Sequence, residues 1–434
     1  MKKIILILII LLPLTNAFAQ PGFNARSMSM AGAYHGMARG ADVSYWNPAN
    51  LLLPNHPYVT ADLLNFGFTV GNNILSVDFY NEYFSTEFFD TEDKYWSEAD
   101  KNEIISYFDE GFDGNFRGQF TFLAGSYEQF ALAINHFAYS NIHLQQDFVV
   151  VPLQGLSTEP VIFDDNEAEG VVGTEIAFSM AKALHPDWDF IKFLSVGATL
   201  RYFIGHAYFR LEDSYGYVQS STDSLKFNGY YDLLIVAPFE DKGKTGDGVG
   251  FDLGAAAKVS DQLTLGLSFV NLVGFINFGE VELQHADISY NEPGLNIDNF
   301  DDFGDFIEGV AEDSITDYSY TTDAKYALPK SMIMSANYRY NWWLTVEADY
   351  QQGLNNTAGG STTPRLALGV QAQYVRWLPV RCGFALGGYQ GTTFAFGFGL
   401  DFRSYQFDFG IAAQRGLFNK SKGVNFAISH RLEF

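Results

Sequence analysis

The chain holds one cysteine, Cys382, so no internal disulfide is possible. It alternates with Val380 and Phe384 on an apolar face, which reads as a wall position rather than a nucleophile. Cations are scarce too: 26 Lys and Arg stand against 51 Asp and Glu, for a formal net charge of −25. So acidic a surface excludes nucleic acid as a partner, because phosphates demand a basic face. After the N-terminus no apolar run approaches the roughly 20 residues of a membrane-spanning helix, and mean hydropathy is only −0.04. Catalytic signatures are also missing. The histidines (His35, His56, His136, His143, His185, His206, His285, His430) form no His-Glu-x-x-His and no paired zinc spacing. There is no Gly-x-Ser-x-Gly elbow. Gly243-Lys244-Thr245 lacks the upstream glycine of a phosphate loop, since Leu234-Ile235-Val236-Ala237-Pro238 occupies that stretch. No enzyme, metal site or cofactor is expected.

What the chain does have is aromatic and apolar residues in alternation. Hydrophobic residues make up 47% and aromatics 17%, with 41 Phe and 25 Tyr. In Phe394-Ala395-Phe396-Gly397-Phe398-Gly399-Leu400-Asp401-Phe402-Arg403 the even residues are bulky and apolar, and the odd ones small or charged. Tyr405-Gln406-Phe407-Asp408-Phe409-Gly410-Ile411 continues the pattern, and Val424, Phe426, Ile428, Leu432 and Phe434 carry it to the C-terminus. Period two is a β-strand with one greasy and one wet face. If the protein spans a membrane without helices it is a closed barrel, because lipid cannot satisfy backbone polar groups. Charges such as Asp401 and Asp408 then face a lumen or a periphery.

The two ends place the chain in the bacterial envelope. Met1-Lys2-Lys3, the apolar run Ile4 to Leu12 and Ala17-Phe18-Ala19 read as a secretory signal over 1–19, cut before Gln20. Its removal takes Lys2 and Lys3 away and no acid, so the net charge falls from −25 to −27. The last strand, ending on Phe434, resembles the closing strand of bacterial outer-membrane barrels, which the barrel assembly machinery reads.

Traced back from that strand, alternation predicts about fourteen strands near 423–434, 405–414, 393–403, 379–389, 365–377, 343–352, 331–340, 263–272, 249–258, 194–208, 172–182, 131–139, 118–126 and 73–80. Residues 58–66 read as a strand as well, which makes fifteen; either they join 73–80 as one bent strand, or a further strand among 209–248 raises the count to sixteen. Long connections (81–117, 140–171, 209–248, 273–330) then alternate strictly with very short ones (127–130, 259–262, 341–342, 378, 404), the asymmetry of extracellular loops and periplasmic turns. One long connection holds a helix signal from Ser97, its N-cap, to Gly111, its stop, with Ile104, Ile105 and Phe108 as the apolar face. That face either packs for stability or guards a ligand groove. A second helical candidate, 303–311, sits in an acidic stretch from Asp298 to Asp323. This stretch lacks the spacing of a calcium loop and reads as a solvated loop.

Ala31-Gly32-Ala33-Tyr34 and Tyr45-Trp46-Asn47-Pro48-Ala49-Asn50-Leu51 resemble the N-terminal signature of the FadL family of long-chain fatty acid and hydrocarbon channels, with Asn50 where that family has glycine. The resemblance implies an all-β, antiparallel transmembrane barrel over 58–434. Its N-terminal segment, 20–57, would fold as a hatch inside the lumen, with short helices in the extracellular loops. It implies passive uptake of a hydrophobic small molecule that enters from the loops and leaves sideways through the wall. Gly32, Ala33, Tyr34, Trp46, Asn47, Pro48 and Ala49 would then mark the hatch and the ligand route. Small residues suit close packing there, and Pro48 biases Asn47 towards extended backbone. Asn47-Pro48 could equally just open a turn before the first strand. PorV-like barrels, which serve secretion, share the signature, so a docking or scaffold barrel engaging a secretion partner is the alternative. Outer-membrane lipid is a partner on either reading, and the location is the bacterial outer membrane.

Overall fold

The computed structural model describes residues 23–85, 96–185, 188, 190–221, 224–236, 246–293 and 315–434. The signal segment, the helix expected at 303–311 and most of the acidic stretch lie outside these residues. Fourteen antiparallel strands close into a barrel. The wall begins with β1 (Val59–Asn72), β2 (Phe112–Tyr127), β3 (Phe130–Leu144), β5 (Glu167–Leu184) and β6 (Phe193–Ser220). It continues with β8 (Gly246–Lys258), β9 (Leu263–Pro293), β11 (Ser331–Arg339), β12 (Leu344–Gly353) and β13 (Arg365–Ala372). β14 (Val380–Gly387), β15 (Thr393–Phe402), β16 (Tyr405–Gln414) and β17 (Gly423–Glu433) complete it. β1 closes the ring by pairing with both β17 and β2, so the wall itself has no open edge.

One expected strand is corrected. Residues 73–80 turn and then enter helix α2 (Val77–Tyr83), capped by Ser76, and the first strand is Val59–Asn72. Asn72 causes the turn, its Oδ1 accepting from the backbone N–H of Ile74 at 2.8 Å and of Leu75. Inside β1, Leu64 has φ +53 and the register with β17 shifts between Asp62 and Phe66. Such a bulge breaks period two, which is why residues 58–66 stop reading as strand where the strand in fact runs on.

Three further strands stand above the wall at the long-loop rim. β7 (Ser224–Val236) pairs with the upper parts of β6 and β9, over the end of β8. β10 (Ile315–Ala327) pairs with β9 on its other side, above β11. The three-residue β4 (Val161–Phe163) lies against the top of β6. Asp317 and Asp323 of the acidic stretch therefore sit on a strand. The same rim carries α2, α3 (Glu98–Ser106) and α4 (Asp147–Gln154).

The outward face shows why this wall belongs in a bilayer. Leu132, Phe178, Leu200, Leu253, Leu366 and Phe396 are all exposed there, a continuous apolar band that water would not tolerate. Cys382 shares that outward face. Aromatic pairs ring the short-turn rim: Tyr58 with Tyr127, Trp188 with Phe190 and Trp342 with Tyr374, at centroid separations of 5.1, 5.7 and 5.9 Å. A greasy belt edged by aromatics is the membrane-barrel pattern. Among the described residues no helix is long and apolar enough to cross a membrane.

Candidate functional site

From the long-loop rim inwards, the lumen falls into three layers. The outermost is an open vestibule of about 910 Å³. Its lining includes the carboxylates Asp113, Asp164, Asp165, Glu167, Glu169, Glu212 and Asp213, against the cations Arg210, Lys325 and Arg415. Some are paired: His143 Nδ1 lies 2.7 Å from Asp113, and Arg210 lies 3.5 Å from Glu212. Glu169 accepts from the Ala358 N–H at 2.6 Å and the Tyr208 hydroxyl at 2.9 Å. Carboxylates in excess give this mouth a negative field that repels anions.

Beneath it the lumen is apolar. Phe137, Val171, Phe203, Tyr208, Ile276, Phe278, Tyr326 and Leu328 belong to one buried cluster inside the barrel. Tyr208 stacks on Phe278 at 5.3 Å, and Phe203 meets Phe137 edge-on at 6.0 Å. A small cavity of about 50 Å³ lies under the cluster. Arg117 reaches into it, its guanidinium 4.6 Å from the Phe23 ring centroid and 5.0 Å from that of Tyr139, with Nε and one Nη lacking hydrogen-bond partners. Sequence reading missed this layer. Its residues come from the upper parts of β3, β5, β6, β7, β9 and β10 and from Leu328 just past β10, stretches read largely as loop.

The third layer is the N-terminal segment. Residues 23–54 lie within the ring of strands and are almost entirely buried. They form a short helix α1 (Ala25–Ser29) and two 3-10 turns, Gly40–Tyr45 and Pro48–Leu52. The wall makes room with small inward residues. Ala367, Ala385, Ala395 and Ala412 pack on Ala31 and Ala33, and a Cβ on Gly383 would collide with the Met30 backbone. Polar wall side chains then grip the segment's backbone. Asp349 accepts the N–H groups of Tyr34 and His35 at 2.8 and 2.9 Å, and Glu347 that of Gly36 at 2.5 Å. Arg201 donates to the Ser44 carbonyl at 2.6 Å and Ser195 to that of Ala49 at 2.8 Å. Arg26 pairs with Asp408 at 2.7 Å, and Arg431 with Asp42 at 2.8 Å and Asp62 at 2.6 Å.

All seven residues singled out in this segment lie in the packed layer, and none lines the vestibule. Gly32 takes the left-handed conformation, φ +81, that turns the chain after α1. The Tyr34 hydroxyl donates to Asp42 at 2.8 Å, and its ring meets Trp46 edge-on at 5.7 Å. Asn47 caps the turn that Pro48 opens, Oδ1 accepting from the Ala49 N–H at 3.0 Å. Its Nδ2 donates across to the wall carbonyls of Ala255 and Leu267 at 3.0 and 3.4 Å. Asn50 donates to the His35 carbonyl at 2.8 Å, a tie that glycine could not make. Ile104, Ile105 and Phe108 pack with Ile74, Phe79, Tyr83 and Leu153 into a cluster of their own.

His35 lies between Ser335 and Ser268, its ring nitrogens 2.8 and 2.7 Å from their hydroxyls. Those are the distances of a base and a nucleophile, but the site is fully buried between wall and segment, and burial pushes the imidazole down to about 3.

The family model described as "Family of unknown function (DUF5723)" matches residues 48–412. No curated protein matches the sequence. Among solved structures, the toluene transporter TbuX of Ralstonia pickettii is 14% identical, with 96% of this chain and 99% of that chain covered at a TM-score of 0.52. A FadL homologue from Pseudomonas aeruginosa is 12% identical over 96% and 100%, at 0.51. The monoaromatic hydrocarbon channel CymD is 15% identical over 96% and 99%, also at 0.51. Identities this low speak for the fold, and the fold is that of the FadL-type barrels.

Proposed function

The chain belongs to the DUF5723 family, whose description assigns no activity, and from that starting point we propose that it is a bacterial outer-membrane channel for passive uptake of uncharged hydrophobic small molecules. The observation that carries the proposal is the apolar, aromatic-rich layer inside the lumen, set between an open vestibule and the packed N-terminal hatch. A water-filled porin lines its lumen with polar groups. An aromatic column is instead a solvent for a greasy ligand: burying about 150 Å² of apolar ligand surface there is worth about 4 kcal/mol. The acid-rich mouth disfavours free carboxylates, so the substrate class is hydrocarbon-like rather than a fatty acid anion. The relatives of this fold named as toluene transporters and hydrocarbon channels support the reading. Passage requires the hatch to shift, because its ties to the wall block the lumen at rest.

A second reading, a docking barrel for another envelope protein, has its own observation. Tyr215, Tyr230, His285 and Tyr318 line up on the sheet that rises above the wall, with successive ring centroids 6.4, 5.8 and 4.5 Å apart. Tyr215 and Tyr318 are exposed. Such an aromatic face suits a protein partner.

The deciding experiment measures entry of radiolabelled toluene into cells with a tight outer membrane, with and without the barrel. Faster entry with the barrel, abolished by Phe278→Lys while heat-modifiable mobility shows the variant folded, supports uptake. Equal entry with and without the barrel rejects uptake. A single envelope protein crosslinking at Tyr318 in that case selects docking.

A further inference from the structure

On the lipid side of the wall, near the short-turn rim, β5, β6, β8 and β9 enclose a groove of about 460 Å³. Ala198 and Ala255 form its floor, and Met180, Val196, Leu253, Leu267 and Phe269 stand around it. The only charged residue in its lining is Lys182. In the β5–β6 ladder Lys182 lies opposite Val196, so its stem runs beside the floor. Lys182 makes no ion pair or hydrogen bond with any described residue. Lys192 and Lys258 stand at the rim just below, where the next residue of β6, Phe193, pairs with Lys258. These two share a single acid, Asp261, at 2.8 and 4.0 Å. By sequence the β5–β6 connection also carries Asp187 and Asp189, so the charge that marks the groove is Lys182 itself.

A lysine facing lipid is costly unless its head reaches the interface and finds an anion there. The apolar groove excludes a free phosphate or a soluble acid as occupant, because neither would fill the floor. We infer that the groove binds one anionic phospholipid of the periplasmic leaflet, an acyl chain lying on Ala198 and Ala255 and the phosphate held by Lys182. The inner side of the same patch carries the hatch. Gly197 has no side chain, and a Cβ there would lie 2.6 Å from the Pro48 backbone, while one on Gly254 would strike Asn47. The lipid thus sits one strand's thickness from Asn47-Pro48 and braces the wall segment on which the hatch rests. This site stands whether the barrel transports or docks.

The test is native mass spectrometry of the full-length barrel from detergent, titrated with dioleoyl phosphatidylglycerol or dioleoyl phosphatidylcholine. One phosphatidylglycerol per barrel should survive, in preference to phosphatidylcholine. Lys182→Gln should weaken its retention about fivefold, the effect of one interfacial lysine. Ala198→Trp should abolish retention by filling the floor, and Lys420→Gln at the opposite rim should change nothing. Equal retention of the two lipids, an unchanged Lys182→Gln variant, or a second copy of the barrel covering the groove would each overturn the assignment. Heat-modifiable mobility of each variant separates loss of binding from loss of fold.

Discussion

Arg431 shows how single side chains hold the hatch. It reaches from the last strand to Asp62 on β1 and Asp42 in the hatch, at 2.6 and 2.8 Å, and also donates to the Arg39 carbonyl at 3.2 Å. All three charged side chains are buried. Removing the cation leaves two buried carboxylates facing one another, and breaking a buried pair costs about 3–5 kcal/mol. Arg431→Ala should therefore free the hatch before the wall unfolds, which limited proteolysis near the N-terminus of the folded barrel will read as faster cleavage. His35 gives a pH prediction. Its imidazole is held neutral by burial, with a pKa of about 3 when folded against about 6.5 unfolded. Below the unfolded value the unfolded chain binds a proton that the fold refuses, so this contribution is complete above about pH 6.5 and is lost as pH falls towards 3. His35→Gln should flatten the acid dependence of hatch stability across that window, measured by Trp46 fluorescence.

At the scale of elements, caps and bulges decide what alternation alone leaves open. Helix α3 has the expected N-terminus: Ser97 and Asp100 form a reciprocal capping box. It ends at Ser106 rather than running to Gly111, whose φ of +75 turns the chain into β2 instead. Ser97→Ala should cost about 1 kcal/mol of local stability, seen as faster hydrogen exchange over 98–106 with the barrel's Tm unchanged. Asn47 is the hatch's counterpart, a cap that also donates to the wall. Asn47→Ala removes both roles and should speed exchange at residues 48–53 more than Ser97→Ala does at its own helix. That Ser76-Val77-Asp78-Phe79 forms the start of a helix has the same kind of cause. A few alternating residues fit either period, and the Asn72 turn followed by the Ser76 cap settles it.

For the whole molecule, the packed hatch and the fourteen-strand ring make a closed vessel with an acidic mouth. In planar bilayers the intact protein should conduct negligibly. Deleting residues 23–53 should open a pore that prefers cations, because carboxylates outnumber cations around the vestibule. That preference should fade as salt rises and screens the mouth. An anion-selective pore, or free conduction by the intact barrel, would contradict this account of the lumen.

Period-two alternation was enough to mark the antiparallel barrel, thirteen of its wall strands and the segregation of long and short connections, because each strand's two faces meet different solvents and the residues must follow. It left the count open, since 58–66 and 73–80 both read as strand and only the first belongs to the wall. The small inward residues, such as Gly383, Ala385, Ala395 and Ala412, were equally visible in the sequence. They are the trace of a filled lumen, since a wall receiving a packed segment must yield volume to it. What the sequence did not disclose are the partners across space. The hatch is held by residues hundreds of positions away, as in Asp349 with Tyr34 or Arg431 with Asp42. The aromatic layer gathers from six strands, and the groove beside Lys182 is made by four. These depend on ring closure, strand tilt and register, which bring side chains together at distances no local pattern encodes.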